Sequence, residues 1–107
     1  MTAIRNAGAP IRTLDDAEAR HTGYWFSRGA TAFFRSRVSP TMYPDDARKV
    51  SYFVSSEQFD YQSPRLYTVR VIDWATGDVD TVGEFQQYGT LAQARGAIAR
   101  RLREPVA

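Results

Sequence analysis

The chain has 107 residues, 43% of them apolar and 24% charged, with a formal net charge of +2; this suits one globular domain and excludes a disordered chain, a strong nonspecific nucleic-acid binder and a strongly acidic nucleic-acid mimic. It has no Cys and one His, which excludes disulfides, thiolate zinc, a Cys nucleophile and a multi-histidine metal centre within one chain. No apolar run reaches the roughly 18 residues of a membrane span, and the start "MTAIRNAGAPIR" lacks the apolar core of a signal peptide, so a soluble cytoplasmic protein is expected.

Six Tyr, six Phe and two Trp supply large rings, which let a short chain bury enough surface for a core. The cations are almost all Arg, with Lys49 the sole Lys. Arg suits forked contacts with carboxylates and phosphates, although an Ala- and Arg-rich composition also reflects GC-rich coding.

Residues 1–12, with Gly8 and Pro10, show no period and predict a flexible arm ahead of a single domain over residues 13–107. "TLDDAEARHTG" predicts a short helix, capped by Thr13, with Asp15 and Asp16 at the positive end of its dipole and Gly23 as its stop. His21 falls at that helix's end as a C-cap. "FSRGATAFFRSRV" predicts a second helix from the N-cap Ser27, with Ala30, Phe33 and Phe34 as its apolar stripe; Ser39-Pro40 ends it.

The pattern then changes to alternation. "TMY" reads as a short strand and "PDDARK" as a turn. "VSYFVSSEQ" places Val50, Tyr52 and Val54 on one face and Ser51, Phe53 and Ser55 on the other. "FDYQSP" is a loop. "RLYTVRVIDW" is the strongest strand, "ATGD" turns the chain with Gly77 at positive φ, and "VDTVGEFQQY" returns. In "TLAQARGAIARRLRE", Thr90 and Gln93 have capping-box spacing. Leu91, Ala94, Ile98 and Leu102 share one helical face, with Arg95, Arg100, Arg101 and Arg103 on the rest. The expected architecture is α+β: one or two N-terminal helices, a four-stranded antiparallel meander, and the C-terminal helix packed on one sheet face.

"DWATGDVDTVGEF" carries four carboxylates, Asp73, Asp78, Asp80 and Glu84. With a loop at Trp74 to Gly77, Ile72 faces Val79, Arg70 faces Thr81 and Leu66 faces Phe85. Asp73, Asp78, Asp80 and Glu84 then share a face with Tyr67, Val69, Val71 and Val82, a partition that a bulge at Gly77 or Gly83 would break. The run lacks the spacing of a calcium loop, so no metal and no cofactor is expected. No nucleophile elbow or phosphate-binding glycine pattern appears, and no catalytic residues are assigned.

Phe33–Arg37, Tyr52–Gln58, Arg65–Arg70 and Thr76–Tyr88 carry the pattern FFxSR, YFVSSEQ, RxYTVR and TGxIxTVGxFQxY. On these motifs residues 27–103 resemble a small family of uncharacterised proteins of bacteriophages and mobile elements, with Val79 where the family has Ile. Small Cys-free proteins of mobile elements often bind and block a host protein, anti-CRISPR and other anti-defence proteins among them. The resemblance therefore implies a non-enzymatic inhibitor, monomer or homodimer, whose partner is a host protein such as a nucleic-acid-binding defence effector. Tyr24, Trp25 and Arg28 are the expected aromatic and cationic anchors, and Asp78, Asp80 and Glu84 the expected partners for basic residues. The second expectation is a nucleic-acid-binding accessory protein, using Tyr52, Phe53, Phe59, Tyr61, Tyr67 and Arg70 of the sheet region and the Arg-rich C-terminal helix.

Overall fold

The computed structural model describes residues 8–21, 26 and 36–105. Helix α1 is Leu14–Arg20. Its N-cap Thr13 has extended backbone; the Thr13 hydroxyl accepts from Asp16 N (3.1 Å), and the Asp16 carboxylate accepts from Thr13 N (3.2 Å) and Arg12 N (3.0 Å). This reciprocal box satisfies amides that the first turn leaves without partners. The Arg12 N–H holds the Asp16 carboxyl below its ordinary pKa; slight burial opposes this, and the Thr13 bonds and the Arg20 charge assist it.

The strands are β1 (Arg37–Val38), β2 (Tyr43–Asp45), β3 (Val50–Glu57), β4 (Leu66–Asp73) and β5 (Val79–Val82), followed by helix α2 (Leu91–Arg103). The sheet is antiparallel with β3 and β4 at its centre, pairing over eight residues from Val50↔Asp73 to Glu57↔Leu66. β5 forms one edge. Along the other edge of β3, β1 pairs at Ser55 and Ser56 while β2 pairs from Val50 to Tyr52. The sheet therefore has five strands, not four. The fifth comes from Arg37–Val38, read from sequence as the end of a helix; its residues Ser27 to Arg35 lie outside the described residues. The strand expected at "TMY" lies slightly later and includes Pro44, which an edge strand tolerates because no partner needs its missing N–H.

Alternation along β3 feeds two cores, one on each face. Ile11, Ala17, Met42, Phe53, Ile72 and Trp74 form one; Tyr52, Val54, Val69, Ala94 and Ile98 form the other, beneath α2. α2 starts at Thr90, whose hydroxyl accepts from Gln93 N (3.1 Å), while Gln93 Oε1 accepts from Gly89 N (3.0 Å). The reciprocal bond thus lands one residue before the N-cap. Leu102, expected on the buried face, is 38% exposed.

Residues 8–12 belong to the fold, although the sequence reads them as part of a flexible arm. Ile11 is fully buried, Gly8 N donates to Trp74 O (2.8 Å), and the buried Arg20 guanidinium donates to Ala9 O (2.9 Å) and Trp74 O (2.7 Å). Trp74, read as the end of a strand, is the hub. Its ring N–H donates to Ser51 Oγ (2.8 Å), and the Ser51 hydroxyl donates to Ile11 O. One large apolar residue, Ile11, among Gly8, Ala9, Pro10 and Arg12 gives no periodic signal, so the docking of this segment is invisible to pattern reading.

At the end of the sheet where β2 turns into β3, Arg48 ties the turn to α2. It pairs with Asp45 Oδ2 (2.7 Å) and donates to Arg101 O (3.3 Å), Glu104 O (2.9 Å) and Pro105 O (3.3 Å). Carbonyls left over at the helix end thereby gain a cationic donor. Burial pushes the Asp45 carboxyl up, but the Arg48 guanidinium and N–H and the Tyr52 hydroxyl outweigh it, and its pKa lies below the ordinary value.

Candidate interaction surface

Of the residues expected to anchor a partner, Tyr24, Trp25 and Arg28 lie outside the described residues. Asp78, Asp80 and Glu84 are all exposed. The expected register holds at Ile72↔Val79 and Arg70↔Thr81, then breaks. Gly83 has φ +79 and turns the chain off the sheet, and Tyr88 returns to pair with Tyr67. Leu66 therefore does not face Phe85, and Glu84 leaves the shared face. Asp78 precedes β5 and Glu84 follows it; the four residues of β5 alone separate them by roughly 13 Å. The three carboxylates line the sheet edge and do not converge.

Asp80 has a local role. Asp73 N donates to Asp78 O (3.0 Å), which sets the alternation of the ladder and turns the N–H of Thr81 away from β4. Asp80 Oδ1 accepts that N–H at 2.7 Å. The carboxylate occupies an outward donor that an added strand would use, one way in which sheet edges are protected.

The structure brings together a different set of side chains, on two loops at the end of the sheet where β3 joins β4. In the first, residues 58–65, Phe59 is 84% and Tyr61 85% exposed. The loop is held from within. Asp60 Oδ1 accepts from Gln62 N (2.9 Å), Ser63 N (2.8 Å) and Ser63 Oγ (2.9 Å), Gln58 Nε2 donates to Ser63 O (2.9 Å), and Arg65 Nη1 donates to Ser56 O (3.1 Å) and Ser56 Oγ (3.0 Å). In the second, residues 83–87, Gln87 Oε1 accepts from Glu84 N (3.0 Å) and Thr68 Oγ1 accepts from Gln86 N (2.7 Å). This loop displays Glu84 and Phe85, which is 57% exposed. Gln86 Nε2 donates to Glu57 O (3.4 Å) and links the second loop to the root of the first.

Beneath the tip lies a polar network on a sheet face. Glu57 Oε1 accepts from Ser55 Oγ (2.7 Å) and Arg70 Nη2 (3.2 Å), and Glu57 Oε2 accepts from Thr68 Oγ1 (3.2 Å). Arg70 Nε donates to Ser55 Oγ (3.0 Å), its Nη1 donates to the Thr81 hydroxyl, and its guanidinium lies 5.5 Å from the centroid of the Phe85 ring. The Glu57 and Arg70 side chains are only 11% and 12% exposed. A cation shared this way positions Phe85 and has little capacity left for an external phosphate. The sheet rings also separate by burial: Tyr52 and Phe53 are core, Tyr67 packs against the core beneath α2, and Phe59 and Tyr61 are displayed.

Among the described residues no group of three or more His, Asp or Glu is placed to hold a metal ion. No helix there is long and apolar enough to cross a membrane.

These features define a small α+β domain with two internally hydrogen-bonded loops presenting aromatic and acidic side chains from one sheet end. A model of a family of unknown function, DUF7447, matches residues 10–99, and the chain belongs to that family. Neither the curated proteins nor the solved structures give a match.

Proposed function

We propose that the protein is a non-enzymatic binding protein of a bacteriophage or mobile element, acting in the cytoplasm by stoichiometric engagement of a host protein. Host defence machinery, including CRISPR effectors, is the target class. The observation that carries the reading is the tip: Phe59 and Tyr61 are displayed on a loop whose backbone is already fixed by Asp60, Gln58 and Arg65. Large rings held rigid before contact lose little entropy on binding, and such rings dominate interface energetics. Glu84 and Phe85 extend the surface. Asp78 and Asp80 offer charge along the adjoining edge, where basic residues of a partner would pair. The phage and anti-defence part rests on the motif resemblance of residues 27–103.

The test is affinity capture from nuclease-treated host lysate with wild type, Phe59→Ala/Tyr61→Ala and Asp78→Ala/Asp80→Ala/Glu84→Ala. One protein recovered in stoichiometric amount is expected, with affinity roughly 30-fold or more weaker in the aromatic variant, the scale of losing a hot spot. Equal capture by wild type and both variants, or capture that nuclease abolishes, refutes the reading.

A further inference from the structure

The tip leaves the outer face of α2 without a role. Four arginines lie on this helix, Arg95, Arg100, Arg101 and Arg103, and no acidic residue lies within Leu91–Arg103. Arg101 pairs with Glu104 (3.7 Å); among the described residues Arg95, Arg100 and Arg103 make no ion pair. All three are exposed. Arg100 and Arg103 lie in the last turn, where the helix dipole favours cations; Arg95, in mid-helix, gains nothing from the dipole, and the three have no acidic neighbour on the helix to balance them.

Gly96 sits among them. It is a helix-interior glycine, an unfavourable choice where helical backbone suits any residue. A Cβ there would find its nearest neighbour, Arg100 Nη1, at 3.7 Å, an ordinary contact. The fold has room for alanine and does not use it. The glycine does leave the helix backbone open to close approach from outside. It forms the floor of an open groove of about 580 Å³ lined by Gln87, Tyr88, Ala92, Gln93, Gly96 and Arg100.

We propose that this face of α2 seats the phosphate backbone of a nucleic acid, with Arg95, Arg100 and Arg103 on the phosphates and the strand lying close over Gly96. From Arg95 to Arg103 the helix rises about 12 Å, roughly three to four base steps of one strand. The face suits a polyanion rather than a bilayer. Leu91, Ala94, Ala97 and Ile98 are turned into the sheet, and Leu102 is the one large apolar side chain that α2 exposes, too little for an interfacial helix to insert. Backbone contacts of this kind position without reading sequence. The groove shares Gln87 with the second tip loop, but none of the displayed rings Phe59, Tyr61 and Phe85 lines it.

The test is fluorescence anisotropy of the full chain with labelled single-stranded and duplex 30-mers, across salt. Three phosphate contacts predict a log–log slope near −2.7 for duplex, so binding weakens roughly 40-fold between about 50 and 200 mM salt. Arg100→Ala/Arg103→Ala, both exposed positions that leave the fold intact, is expected to flatten the slope to about −0.9 and to weaken low-salt binding at least 10-fold. Gly96→Leu is expected to weaken binding with the slope retained. Phe59→Ala/Tyr61→Ala is expected to bind like wild type. The proposal is overturned by no binding to either oligonucleotide at low salt, by an unchanged slope in the arginine variant, or by loss in the aromatic variant alone. Preferential binding to phosphatidylserine vesicles would overturn it in favour of a membrane surface.

Discussion

Gly77→Ala tests how α1 is locked to the β4–β5 turn. Gly77 has φ +74, and a Cβ built there would lie 2.4 Å from Arg20 O and 2.9 Å from Arg20 C. The left-handed backbone costs alanine about 1–2 kcal/mol by itself. The clash is with main chain, which no rotamer relieves. α1 must therefore shift, and its end is anchored by the Arg20 bonds to Ala9 O and Trp74 O and by the 2.8 Å bond from His21 Nδ1 to Gly77 O. Weakening one or two such bonds adds about 1–2 kcal/mol. The expected loss is about 3 kcal/mol, a large share of the roughly 5–15 kcal/mol available to a domain. Urea unfolding followed by tryptophan fluorescence measures it, because Trp74 is at the same junction. Gly83→Ala is the comparison: its φ is +79, but the added Cβ meets Gln87 Oε1, the end of a side chain that can turn away, leaving its exposed donor Glu84 N to water. It should cost about 1–2 kcal/mol. Equal losses in the two variants would refute the close approach of α1 to the turn.

Ile11→Ala removes a fully buried side chain and should cost about 2–5 kcal/mol in the same assay; a loss below 1 kcal/mol would mean that the segment is not docked. Arg70→Ala strands the Glu57 carboxylate on a buried sheet face and should destabilise by about 3–5 kcal/mol, with shifted amide NMR resonances at Phe85 and Gln86. The lowered pKa values of Asp45 and Asp16 give stability that is full above the unfolded carboxylate value near 3.9 and is lost as pH falls through the lower folded values. Asp45→Asn should therefore flatten the fall in urea midpoint below about pH 4, and an unchanged acid limb would contradict that linkage. Gly96→Ala should stabilise by about 0.4–1 kcal/mol, and destabilisation would show that the fold needs this glycine.

Local rules carried much of this protein. The caps at Thr13 and Thr90, the alternation of β3, the registers Ile72↔Val79 and Arg70↔Thr81 and the positive φ at Gly77 all depend on chemistry within a few residues of chain, so the sequence determined them. Tertiary structure decided the rest. Gly83 ended β5 early and took Glu84 off the face that it was expected to share with Asp78 and Asp80. Long-range hydrogen bonds drew residues 8–12 onto Trp74, and pairing with β3 made a strand of Arg37–Val38. Burial then separated rings of the same composition. Tyr52 and Phe53, inside the central strand, lie between sheet and neighbours, whereas Phe59 and Tyr61, a few residues on, sit past its end and are exposed. Composition supplies rings and charges; only the packing of distant segments decides which of them meet solvent.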